Sequence, residues 1–176
     1  QNVKGFTPFE AGTVMLAQPV IQTIFSPVAG RFADKIDPQS IASVGMGITA
    51  LGLTLLVFVN GSTGLPYITT SLAVLGFGFA LFSSPNTTAA MNSAEKRYYG
   101  VASSILGTMR LLGQMFSMGI SMIVFTLIMK DAHMTAGNAG LFLHSAKIIF
   151  IIFAALCFAG IFLKTRKKAR MEKIDM

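Results

Sequence analysis

The sequence predicts an all-α integral membrane protein with five transmembrane helices, and three observations carry that expectation. Only 12% of the 176 residues are charged and 53% are hydrophobic, whereas soluble domains carry about 25% charged residues. Of the 14 basic and 7 acidic residues, eight are gathered in the last thirteen positions, which leaves residues 1–163 poor in charge. This charge-poor portion divides into five apolar stretches, at 9–29, 40–59, 65–88, 101–129 and 141–163. At about 1.5 Å per residue, each is long enough to cross a hydrocarbon core of about 30 Å.

The first span carries Gln18 and Gln22 on one helical face, with Ser26 four residues further on, and it is interrupted by Pro19 and Pro27. Prolines inside a helix free backbone groups that then need a neighbour or water. The two glutamines either border a solute path or bond across a helix interface. Glu10 falls near one end, where a carboxylate stays solvated.

The second and third spans read as packing elements. Ala42, Gly45, Thr49 and Gly52 form one stripe of small residues, and Ala73, Gly76, Ala80 and Ser83 form another. Such stripes let helices approach closely in lipid. Phe77, Phe79 and Phe82 are expected to serve packing or lipid contact.

The fourth span is the most informative. At 100° per residue, Ser103, Gly107, Gln114, Ser117 and Ser121 all fall within about 60° of Arg110. The opposite face holds Val101, Ile105, Leu112, Phe116 and Ile123, all apolar. Arg110 lies about 15 Å from the nearer end of the span, close to the bilayer midplane. A charge at that depth is costly and faces a protein interior or an aqueous cavity. Two readings stand for Arg110: a structural tie to a neighbouring helix, or a residue lining a solute path together with Gln114 and Ser117.

The fifth span is apolar nearly all round, apart from Lys147, whose stem can snorkel to the interface. Cys157 reads as structural. A basic tail, 164–176, follows as a topology and lipid anchor.

Ten Lys and Arg residues fall on the side of Arg31, Lys35, Lys96, Arg97 and the tail, against three (Lys4, Lys130 and Lys147) on the other. The positive-inside rule then sets the C-terminus in the cytoplasm and the N-terminus outside; a multi-pass protein of the cell membrane is expected. An odd number of spans with an external start leads to the expectation that the chain begins in mid-protein. The partners implied are the bilayer and a preceding transmembrane half, with no nucleic acid, since the largest basic block follows a hydrophobic span.

A single cysteine excludes a disulfide framework. His133 and His144 have no cysteine or carboxylate at ligand spacing, and no G-x-x-x-x-G-K-S/T loop occurs. No metal, cofactor or enzymatic activity is expected. Asn60-Gly61-Ser62 matches a glycosylation sequon, a match that arises cheaply by chance.

The loop after the first span reads Gly30-Arg31-Phe32-Ala33-Asp34-Lys35-Ile36-Asp37-Pro38-Gln39. It resembles the G-x-x-x-D-R/K-x-G-R signature of the major facilitator superfamily, keeping Gly30, Asp34 and Lys35 and departing at Asp37 and Pro38. Further on, Ser84-Pro85-Asn86, then Gly100-Val101-Ala102-Ser103-Ser104 and Arg110-Leu111-Leu112-Gly113-Gln114, are similar to the late helices of its fourteen-span drug/proton antiporter branch. The resemblance implies that the five spans are the C-terminal part of a major-facilitator-type bundle. It implies export of drugs or other hydrophobic or cationic compounds by alternating access coupled to protons. On the same resemblance Gly30, Asp34 and Lys35 form a cytoplasmic gate motif, while Asp34 read on its own is a solvated loop acid. The spans hold no deep acidic residue, so the main proton carrier is expected in the preceding half. The alternatives from other classes are a non-transporting scaffold that uses the polar face of span four as an oligomer interface, and a pore-forming channel.

Overall fold

The computed structural model describes residues 8–33, 35–61, 63–129 and 139–172. Among the described residues five α-helices form the architecture: α1 (Pro8–Ala33), α2 (Pro38–Val57), α3 (Leu65–Asn92), α4 (Tyr99–Met129) and α5 (Ala139–Glu172). A 3₁₀ turn, Lys96–Tyr98, leads into α4. The all-α character and the count of five agree with the sequence.

Helix ends follow local chemistry. Asp37 caps α2: its carboxylate accepts hydrogen bonds from the backbone N–H of Gln39 at 3.2 Å and of Ser40 at 3.1 Å, and from the Ser40 hydroxyl at 2.8 Å. Pro38 follows at the first helical position, where the missing N–H costs nothing. Gly64 precedes α3, and Pro66 sits in its first turn. Four stretches, Pro38–Val57, Leu65–Asn92, Lys96–Met129 and Gly140–Phe162, are long and apolar enough to cross a membrane. The remaining helix, α1, has the length but is diluted by Glu10, Gln18, Gln22 and Arg31, and it runs unbroken through Pro19 and Pro27. The helix of α5 continues past the apolar stretch into the basic tail as far as Glu172.

The packing centres on α3, which is held between α1 on one side and α2 on the other; α5 lies outside α2 and also touches α4. Glycines set this arrangement. A methyl group on Gly45 would sit 2.5 Å from the Phe82 nitrogen and 2.6 Å from the Leu81 carbonyl carbon, so the backbones of α2 and α3 approach more closely than any side chain permits. Gly78 meets Thr49 from the other direction, and Gly76 lies directly against the Gln18 carbonyl of α1. The stripe of Ala42, Gly45, Thr49 and Gly52 on α2 is buried throughout. Its counterpart on α3 is Leu75, Gly78 and Phe82, whereas Gly76 belongs to the contact with α1. An edge-on contact between the rings of Phe25 and Phe77, with centroids 5.0 Å apart, adds to the α1–α3 seam.

Buried hydroxyls satisfy themselves locally. Thr49 and Ser71 donate to the carbonyls four residues back, Gly45 at 2.9 Å and Tyr67 at 2.8 Å, as polar side chains in apolar helices must. Two longer-range bonds brace the same end of the bundle. The Tyr67 hydroxyl donates to the Leu55 carbonyl at 2.9 Å, and the Lys147 ammonium donates to Asn60 Oδ1 at 2.6 Å, which ties α5 to the α2–α3 loop.

Candidate functional site

Gln18 and Gln22 are half-buried on α1, and the Gln18 backbone is pressed by Gly76. The Thr23 hydroxyl donates to the Pro19 carbonyl at 2.8 Å. The Gln18 backbone is therefore part of the α1–α3 seam, while both glutamine side chains remain partly accessible.

Helix α4 differs from every other. Of its 31 residues only Met129 is buried, and large apolar side chains are exposed on several faces. Its firmest tie to the bundle is at one end, where the rings of Phe125 and Phe142 stack with centroids 5.4 Å apart. Arg110 and Gln114 are exposed. Arg110 is the only charged residue of α4, and α2 and α3 contain none. Ser117, on the same 100° arithmetic part of that polar stripe, is turned differently. It is half-buried and lines a cavity of about 460 Å³ between α2, α3, α4 and α5, together with Thr49, Phe79, Phe153 and Cys157. Ser121, also half-buried, donates to the Ser117 carbonyl at 2.9 Å. The stripe thus divides into an exposed part, Arg110 and Gln114, and a part that faces the bundle, Ser117 and Ser121.

In the last turn of α1, Gly30 packs on α3, where an added methyl would lie 3.3 Å from Ser84 Oγ. Lys35 is exposed, and its backbone N–H closes a turn onto the Phe32 carbonyl at 3.1 Å. Asp34 lies outside the described residues. Asp37, a departure from the loop signature, acts as the cap of α2 described above. Asp-Pro-x-Ser before an apolar run is a helix-start signal, so that role was available in the sequence. A second cavity, of about 590 Å³, lies between the first turns of α2, the last turns of α3 and Gly160 of α5, with Met46 bordering both cavities. Among the described residues no three of His, Cys, Asp and Glu come together.

Comparison with known proteins bears on all of these residues at once. The family model described as Major Facilitator Superfamily matches residues 1–175. An uncharacterized transporter of Escherichia coli, YebQ, is 33% identical over 127 residues, 72% of this chain and 27% of the relative. The riboflavin transporter RibZ of Clostridioides difficile is 24% identical over 165 residues, covering 93% of the chain and 36% of the relative. The multidrug resistance protein Stp of Mycobacterium tuberculosis is 31% identical over 113 residues, 64% of the chain and 21% of the relative. The chain therefore spans about a fifth to a third of the length of these curated relatives. No solved structure matches it.

Proposed function

Because the chain belongs to the Major Facilitator Superfamily of membrane transporters, we propose that it is the C-terminal part of a secondary active exporter of drugs or other hydrophobic compounds, of the fourteen-span antiporter type, that works by proton-coupled alternating access. The observation that carries this reading is the exposed polar surface of α4, Arg110 with Gln114, in the middle of an otherwise apolar span. Lipid cannot solvate a guanidinium at that depth, so this face borders an aqueous path or another part of the transporter. Two relatives named for drug resistance, Stp and the lincomycin resistance protein LmrB of Listeria innocua, support drugs as cargo, and the name of RibZ supports a small heterocyclic compound.

Under this reading the tight α1–α3–α2 unit is the rigid body that moves, and the loop with Gly30, Asp34 and Lys35 is its cytoplasmic latch. The close approach of Gly30, in the last turn of α1, to Ser84 supports the latch, because it holds the helix end from which the loop leaves against α3. Asp34 accepts hydrogen bonds from the opposing half in one state and releases them in the other. The proton-binding carboxylate then belongs to the preceding half, which packs against α1 and α4. By the basic-residue distribution the C-terminus lies in the cytoplasm, and the export reading puts the protein in the cell membrane.

The test is dye efflux from vesicles carrying the full-length protein, driven by an imposed proton gradient and normalised to inserted protein. Gradient-dependent efflux is expected. A protein that inserts and self-associates through α4, but moves no dye under any gradient, is a scaffold. One that conducts down a gradient without an opposing ion is a channel.

A further inference from the structure

Four residues of α4 spaced four apart, Arg110, Gln114, Met118 and Met122, make one continuous ridge along the helix. All four are exposed, Met118 at 78% and Met122 at 72%. Successive members are about 6 Å apart along the axis, so the ridge runs about 18 Å from a guanidinium through an amide to two thioethers. Arg110 has no acidic partner among the described residues; of the two α-helices that α4 touches, α3 carries no charge and α5 carries only Lys147 within its apolar stretch. The bundle-facing side of the same helix, at Ser117, is a separate surface.

We propose that this ridge is a cargo subsite for an amphiphile that carries a carboxylate or comparable anionic acceptor at one end of an apolar body, an inference that rests on the export reading above. Charge complementarity selects the occupant. A guanidinium presents a planar fork of donors that matches a carboxylate in two parallel hydrogen bonds, and Gln114 adds a donor one turn on. Beyond it, Met118 and Met122 offer flexible, polarizable side chains that mould to flat apolar groups of varied outline. A cationic cargo, which the family resemblance implies, meets repulsion from the Arg110 guanidinium at this ridge. The subsite therefore takes anionic or zwitterionic cargo.

The experiment uses the full-length protein and one fluorophore in three forms of matched apolar body: a carboxylate, its neutral amide and a quaternary ammonium analogue. Equilibrium binding is read by fluorescence on purified, monodisperse protein, and gradient-driven efflux is read separately in vesicles. Arg110→Gln is expected to weaken binding of the carboxylate form at least tenfold and to leave the amide form within twofold. Arg110→Lys is expected to fall between, since it keeps the charge and loses the fork. Met118→Ala with Met122→Ala is expected to weaken all three forms alike. Equal loss for the three forms in Arg110→Gln would overturn the proposal and assign the guanidinium to a carboxylate of the transporter itself. Tighter binding of the ammonium form than of the carboxylate form by the unaltered protein would overturn it as well. Charge-selective binding without gradient-driven efflux would leave the subsite standing and remove the export reading.

Discussion

The α2–α3 pair and helix α4 are both long, apolar and rich in small residues, yet they are held in opposite ways. Gly45 and Gly78 lie where an added methyl would meet backbone atoms of the facing helix at 2.5 to 2.7 Å. Gly107, Gly113 and Gly119 on α4 would meet nothing within 4 Å. The same residue type thus makes a seam in one place and an open surface in the other. In lipid, helix association is driven by close packing rather than by burial from water, so a glycine counts only where a partner backbone reaches it. Stability and function are expected to separate along this line: the pair carries the fold, and α4 carries the exposed chemistry.

The largest effect should come from the seam. Gly45→Leu forces α2 away from α3, and overpacking of this kind costs about 1–3 kcal/mol, occasionally more. Loss of most of the inserted, monodisperse protein in size-exclusion chromatography is the expected result, with Gly119→Leu near wild type. Equal yields from the two variants would break the comparison.

Arg110→Ala should do the reverse. Removal of a midplane charge relieves a cost in lipid, so the amount of inserted protein should hold or rise while proton-driven efflux falls at least tenfold. Leu112→Ala, on the apolar side of α4, should leave efflux nearly intact. A fall in inserted protein that keeps step with activity would move Arg110 into the class of structural ties.

The loop sharpens the contrast at smaller scale. Asp34→Asn is expected to lower efflux several-fold at unchanged stability. Asp37→Asn should do little, because asparagine caps helices about as well as aspartate. Asp37→Ala should lower stability by about 1 kcal/mol, seen as a lower unfolding midpoint in detergent. Loss of efflux from Asp37→Asn equal to that from Asp34→Asn would make both simple loop charges.

The smallest effect expected is that of Lys147→Met. It removes the 2.6 Å bond to Asn60 and should cost no more than about 1 kcal/mol. Hydrogen exchange in the loop at 58–61 is the sensitive readout: faster exchange there with unchanged efflux is the expected pattern.

What the sequence by itself determined is local. Charge-poor runs, the prolines at 38 and 66 and the Asp37 cap set the number of helices and where two of them start, because these depend on residues a few positions apart. The sharing of one face by Arg110, Gln114 and Ser117 is likewise arithmetic along a helix. What only the tertiary structure decided is the neighbour each face receives. The stripe on α3 was expected at Ala73, Gly76, Ala80 and Ser83, but α3 is flanked on two sides, so Gly76 turns to α1 and Gly78 to α2. Ser117 shares a stripe with Arg110 and yet lines an apolar cavity beside Phe153, while Arg110 stays exposed. Periodicity assigns a residue to a side of its own helix. Which helix covers that side depends on contacts between residues distant in the chain, and these leave no period in the sequence.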